Sequence, residues 1–243
     1  MLNNILNAPN AAAERVPVSF CKPIVALLGC ISLLTAFPAR SQVLEDGFNP
    51  DANAAVYALE VQFDDKVLMG GDFTQVSGMP RNHIARVDFD GVLDPSFDPG
   101  VNGRVVTLNV QSDRKIILSG QFTEVAGQTR NRIARVTVDG ELDTAFNSNV
   151  NGTVNIVVLQ DDGRILIGGE FTQVGGLPRN RLARLHPNGT LDTSFDPNAN
   201  GSVLALALQE DGGILVGGDF TQLGGQVRNR IARLDPTGIL DPV

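Results

Sequence analysis

The side chains of this 243-residue chain that could do chemistry recur at one spacing. Arg86, Arg135, Arg184 and Arg233 follow one another at intervals of 49 residues, and so do Asp94, Asp143, Asp192 and Asp241. The Arg-Asn pairs beginning at Arg81, Arg130, Arg179 and Arg228 keep the same step. Set around an axis, such residues make a ring of charged ligands. Set within each copy, they tie neighbouring strands together, because a charge withdrawn from water must be paired. A residue present in every copy points to the tie. The acidic position at Asp72, Glu170 and Asp219, occupied by Gln121 in the second copy, would hold a cation only if several oxygens converged on one point. A solvated or Arg-paired carboxylate is the plainer reading.

Other chemistry fades on inspection. Asp88-Phe89-Asp90-Gly91 resembles the start of a calcium loop, but its equivalents Thr137 to Gly140 and His186 to Gly189 do not, and no bidentate acid follows. A tight turn accounts for all three. Gly175-Gly176 and Gly224-Gly225 lack the lysine and the helix of a phosphate loop. His83 and His186 occupy different positions in their copies and have no Ser or Asp constellation beside them. Adjacent acids such as Asp161-Asp162 point to opposite faces of a strand and fit a hairpin turn better than a glycosidase pair. The expectation is therefore a chain that is no enzyme, with no catalytic residues, no cofactor and no metal. One active site would also break the repeat at one place, and the copies are too alike for that.

The elements that carry these residues follow from the same period. Phe73, Phe122, Phe171 and Phe220 are each followed by Thr, with no insertion between copies. In the fourth copy Val203 to Gln209 is an apolar run, Glu210 to Gly213 is a turn, and Ile214 to Val216 leads into Gly217-Gly218. That is a hairpin signature. Both faces of the first strand look buried, as they would be in a strand squeezed between neighbouring sheets. Ile231 to Leu234 makes a third strand and Ile239 to Asp241 a short fourth. The Gly pair, with Ser119-Gly120 in the second copy, permits close backbone approach or a bulge. Four short strands in about 50 residues make one propeller blade. The fold class is all-β, a β-propeller-like arrangement of four blades of about 49 residues, each a small antiparallel sheet. The blades are placed at 44–94, 95–143, 144–192 and 193–243.

Residues 1–41 differ in kind. Arg15 and Lys22 precede an uncharged apolar run from Pro23 to Phe37, with small residues around Ser41. This reads as a signal peptide, too short in its apolar part for a permanent membrane anchor. Leu27 to Cys30 imitates a lipoprotein box only loosely, since the apolar run continues past Cys30. Both cysteines, Cys21 and Cys30, lie in this leader. Without Arg15, Lys22, Arg40 and Glu14 the formal charge goes from −8 to about −10. A surface so negative repels nucleic acid, so none is expected as a partner. The expected location is outside the cell or on its surface.

An Asn-Gly before VxALxxQxDGKILxGGxFT, then RNRIARL, a Gly turn and LDxSF, resembles the delta-60 repeat of secreted bacterial proteins. The resemblance spans residues 44–243 in four in-phase copies. It implies a β-propeller-like fold with no established activity. Ala54, His83 and Ser119 depart from the pattern and should change local turns only.

Function divides into two classes. An extracellular binding module for a protein or glycan would carry copy-specific side chains on one face, with Met79, Gln128, Leu177 and Gln226 as the variable tip positions. A structural or surface-display spacer would show only repeat-equivalent residues. A glycan hydrolase is the weakest alternative. If Phe48 fills the place beyond Val243, the four blades close into a ring. If not, self-association of open edges is expected.

Overall fold

The computed structural model describes residues 47–242, so the leader reading on residues 1–41 lies outside the described residues. Blade 1 consists of β1 (Val56–Val61), β2 (Val67–Gly71), β3 (Gln75–Val76), β4 (Met79–Pro80) and β5 (Ile84–Val87). Blade 2 consists of β6 (Val105–Val110), β7 (Ile116–Gly120), β8 (Glu124–Val125), β9 (Gln128–Thr129) and β10 (Ile133–Val136). Blade 3 repeats this as β11 (Val154–Leu159), β12 (Ile165–Gly169), β13 (Gln173–Val174), β14 (Leu177–Pro178) and β15 (Leu182–Leu185). Blade 4 is β16 (Val203–Leu208), β17 (Ile214–Gly218), β18 (Gln222–Leu223), β19 (Gln226–Val227) and β20 (Ile231–Leu234). In each blade the first, second and fifth strands form an antiparallel sheet, and the third and fourth form a hairpin of their own.

Besides the first strand, which is half-buried in blades 2 and 3 and largely exposed in blades 1 and 4 where no neighbouring sheet covers one side, two features differ from the sequence reading. The short fourth strand is reduced to single bridges, Val87 to Leu93, Val136 to Leu142, Leu185 to Leu191 and Leu234 to Leu240. The run stops there because the next residue, the repeated Asp, gives its amide to the Arg carbonyl opposite but uses its side chain to close a turn, as Asp94 accepts from the Ser96 amide. The second difference lies between the Phe-Thr pair and the Arg-Asn pair, where the sequence suggested only a connection. There each blade folds a two-residue hairpin loop: Ser77-Gly78, Ala126-Gly127, Gly175-Gly176 and Gly224-Gly225, all at positive φ. Positive φ at both loop residues gives the turn whose twist matches the flanking strands.

The Gly pair positions the blade. At each first strand the register shifts by one residue, between Val154 and Ile156 in blade 3. The second Gly of the pair lies against that bulge, and a Cβ on Gly169 would run into the carbonyl oxygen of Thr153. The first Gly faces the next blade, and a Cβ on Gly168 would lie 2.5 Å from a methyl of Val203. Ser119 is tolerated at this first position because its hydroxyl bonds to Thr107, 2.7 Å away. The period thus encodes two separate approaches, one within the blade and one between blades.

The core runs between blades. Ala58, Leu68 and Ile84 of blade 1 pack with Val105, Leu108, Ile116 and Leu118 of blade 2, and the pattern recurs at the next two interfaces. Phe73, Phe122, Phe171 and Phe220 are fully buried, as are Phe97, Phe146 and Phe195. Blade 1 meets blade 2, blade 2 meets blade 3, and blade 3 meets blade 4. The faces that closure would join are open: Ile231 of blade 4 is 66% exposed, whereas its equivalents Ile84, Ile133 and Leu182 are buried. Leu59 of blade 1 is 66% exposed against 4% for Leu108. Phe48 packs against Gly91 of its own blade, as Phe97 packs against Gly140. The described residues therefore form an ordered row of four blades with two apolar end faces.

Candidate functional site

The repeated charges lie at the blade interfaces. Arg184 on β15 donates from Nε to Asp192 at 2.8 Å and from Nη1 to the carbonyl of Pro236 in blade 4 at 2.6 Å. Its guanidinium stacks over Phe195, 4.5 Å from the ring centroid. Arg86 does the same with Asp94, the carbonyl of Val138 and Phe97, and Arg135 with Asp143, the carbonyl of Pro187 and Phe146. Each Arg thus joins its own blade's acid to the next blade's turn and aromatic ring. In blade 4 Arg233 pairs with Asp241, but its side chain is 45% exposed.

The carboxylates are correspondingly fixed. Asp192 also accepts from the backbone and the hydroxyl of Ser194, at 3.0 and 2.6 Å. Burial pushes its pKa up, but the bonds from Ser194 and Arg184 outweigh burial and hold it down at about 2. Asp94 and Asp143 are lowered against the same opposing burial, Asp94 through Ser96 and Lys66 and Asp143 through Lys115 and Arg135. A folded-state pKa below the unfolded value contributes stability that is complete above about pH 4 and disappears as pH falls through the folded pKa. For Asp192 the shift from 3.8 to about 2 corresponds to roughly 2 kcal/mol. Stability should accordingly be level from pH 7 down to about 4 and fall between pH 4 and 2. Urea melts across that range measure it, and a level profile down to pH 2 would mean the carboxylates are not tied in solution.

The other candidates are spent on local structure. Asp72 accepts from Arg104 of blade 2 at 2.6 and 2.7 Å and from Tyr57 at 3.0 Å, and Arg104 keeps its carboxyl low. Asp219 pairs with Arg230. Asp88 accepts from the backbone of Asp90 and Val92, which closes the turn that includes Gly91. Asp162 accepts from the backbone of Arg164 in its hairpin. His83 shares its position and positive φ with Arg132, Arg181 and Arg230. Arg81, Arg130 and Arg179 are buried and donate to carbonyls on both sides of their loop, as Arg81 does to Pro80 and Pro95. No group of three or more His, Cys, Asp or Glu among the described residues is arranged to hold a metal ion.

One structural set escaped the sequence reading. Asn53, Asn102, Asn151 and Asn200 each accept from two backbone amides just after the Phe and donate to the Thr hydroxyl, as Asn151 does with Thr172 and Gln173, all at 2.9 Å. The signal was present, since these Asn residues keep the 49-residue step and explain why Thr follows Phe.

Met79, Gln128, Leu177 and Gln226 open the fourth strand of each blade, exposed just after the hairpin loop. Each stands on a separate blade. Clefts of about 280 and 300 Å³ lie instead at the opposite hairpins, lined by Gln111, Leu159 and Gln160 and by Gln160, Leu208 and Gln209. These volumes sit at or below the lower end for ligand pockets, and their linings are repeat-equivalent.

Comparison with known proteins follows the fold. The family model described as "Domain of unknown function (DUF5122) beta-propeller" matches residues 62–97, 111–146, 160–195 and 209–242, once per blade. None of the curated proteins matches the chain. Among solved structures, the WD40 β-propeller domain of Doa1 is 18% identical, with a TM-score of 0.50, over 76% of this chain and 52% of that one. A streptogramin B lyase is 22% identical over 80% of this chain and 56% of that one, with a TM-score of 0.49. A catalytically inactive virginiamycin B lyase from Staphylococcus aureus, with quinupristin, is 21% identical over 79% and 56%, also at 0.49. The chain spans about half the length of these structures. With its four matched segments covering more than half of the sequence, the chain belongs to the DUF5122 β-propeller family.

Proposed function

We propose that this chain is a secreted or cell-surface structural scaffold, a propeller repeat that works by packing blade on blade and not by holding a small ligand or catalysing a reaction. The observation that carries this reading is where the charged side chains go. Arg86, Arg135 and Arg184 and their Asp partners are consumed at equivalent places between blades, which is what a spacer requires. The apolar leader at Pro23 to Phe37 and the delta-60-like repeat pattern support export. An extracellular binding module is the second reading. It is favoured by the exposed Met79, Gln128, Leu177 and Gln226, which are apolar in blades 1 and 3 and Gln in blades 2 and 4.

A thermal-shift screen separates the two. Soluble oligosaccharides from chitin, cellulose and xylan, at millimolar concentration, are expected to leave the Tm of the full chain unchanged. A ligand that binds only the folded state raises Tm by mass action. A saturable rise that disappears on replacing Met79 or Gln128 by Ala would displace the scaffold reading in favour of the binding module.

A further inference from the structure

The two end faces are the separated halves of the interface that joins the blades. At the internal interfaces the forward face of one blade presents Ala58, Thr107 or Ile156 on the first strand, Leu or Ile on the second, the first residue of the Gly pair (Ser119 in blade 2), and Ile or Leu on the fifth. In blade 1 these are Ala58, Leu68, Gly70 and Ile84. The back face of the next blade answers with Val105 and Leu108, and with the carbonyl of Val138 that accepts from Arg86 at 2.5 Å. Blade 4 carries the same forward set, Ala205, Leu215, Gly217 and Ile231, around an open apolar cleft. Blade 1 carries the same back set in Val56 and Leu59, both exposed. The glycines record the difference. A Cβ on Gly70 or Gly168 would press within 2.7 Å on the valine of the following blade, but on Gly217 it meets nothing closer than the Ala205 methyl at 3.5 Å.

We propose that the forward face of blade 4 docks on the back face of blade 1 of a second copy of this chain, head to tail, and that two such contacts close a symmetric two-chain propeller. In that arrangement Val56 of one copy fills the space over Gly217 of the other. Arg233 donates to the carbonyl of Phe89, the equivalent of Val138, Pro187 and Pro236. A second copy is the occupant because both end faces keep residue types that serve only the internal interface. A partner of other chemistry would give no reason for Leu215, Ile231 and Leu59 to match their buried counterparts. Two chains of four blades make eight, within the range of known propellers. Closure by a two-fold axis leaves neither face open. The inference goes beyond the scaffold reading, which stands whether or not the ends associate.

Light scattering on the full chain over a range of concentrations tests it, with Gly217→Val and Leu59→Asp as variants. Gly217→Val has room within its own blade but fills the place of Val56, so its circular dichroism spectrum should match the parent's. The parent should run at twice the chain mass, with a Tm that rises with concentration. Each variant should weaken association at least about 100-fold. A parent that stays monomeric, whether covered from within or open, overturns the proposal. So does an open-ended series of larger species, or a dimer that both variants leave intact.

Discussion

Arg184→Ala is expected to lower the unfolding free energy by about 3–5 kcal/mol, because it leaves Asp192 buried without its cation and the Pro236 carbonyl without its donor. A loss of that size is a large part of the stability of an ordinary domain. Urea denaturation followed by circular dichroism reads it directly. Arg184→Lys should recover little, since an ammonium keeps the charge but cannot donate to Asp192, reach the Pro236 carbonyl and lie flat over Phe195 together. The internal control is Arg233→Ala, which removes the same residue type from the exposed end face and should cost under about 1 kcal/mol in the monomer. Equal losses at the two positions would show that the interface contact is not what makes the residue matter.

Gly169→Ala carries the second large effect. Its φ is not positive, so no conformational preference is offended, and an alanine there would ordinarily stabilise slightly by restricting the unfolded chain. The obstacle is the Thr153 carbonyl, which belongs to backbone held by the Glu170 amide at 2.8 Å and cannot swing away. We expect a loss of about 2–4 kcal/mol, or failure to accumulate as soluble protein. Gly217→Ala, one position earlier in blade 4 and with open space before it, should shift the monomer by less than about 0.5 kcal/mol. Thermal melts of the two variants side by side decide the matter, and similar Tm values would refute the steric account.

Much of the architecture was legible in the sequence because the period does the work that an alignment would do. Phe73 to Phe220 marked the blades, the apolar run at Val203 marked a strand, though blade 4 leaves it largely open with Leu204 49% exposed, and the Gly pair marked the residues facing the bulge. The repeated Arg and Asp side chains hydrogen-bond to one another within each blade. What could not be read has physical causes. The hairpin at Ser77-Gly78 was hidden because two-residue strands are too short to show alternation, and only its loop carries the signal. The fourth strand was overestimated because Leu-Asp looks like the start of a strand, whereas the Asp side chain ends it. Whether four blades meet as a ring is set by the angle between successive sheets. That angle depends on how deeply Val105 sinks over Gly70 or Val203 over Gly168, a matter of ångströms that no spacing encodes. The tips Met79, Gln128, Leu177 and Gln226 are exposed, one to a blade, and spacing alone does not tell whether such tips converge on one site.

The reach of each Arg into the following blade has a bearing on history as well as on stability. Because every joint is made from the same two half-faces, a duplication or deletion of one whole repeat leaves all remaining joints intact, while any change of partial length breaks one. Genes of this kind can therefore gain or lose blades by unequal recombination without first evolving a new contact. Copy number is then the property most free to drift, and the single repeat the unit on which selection acts.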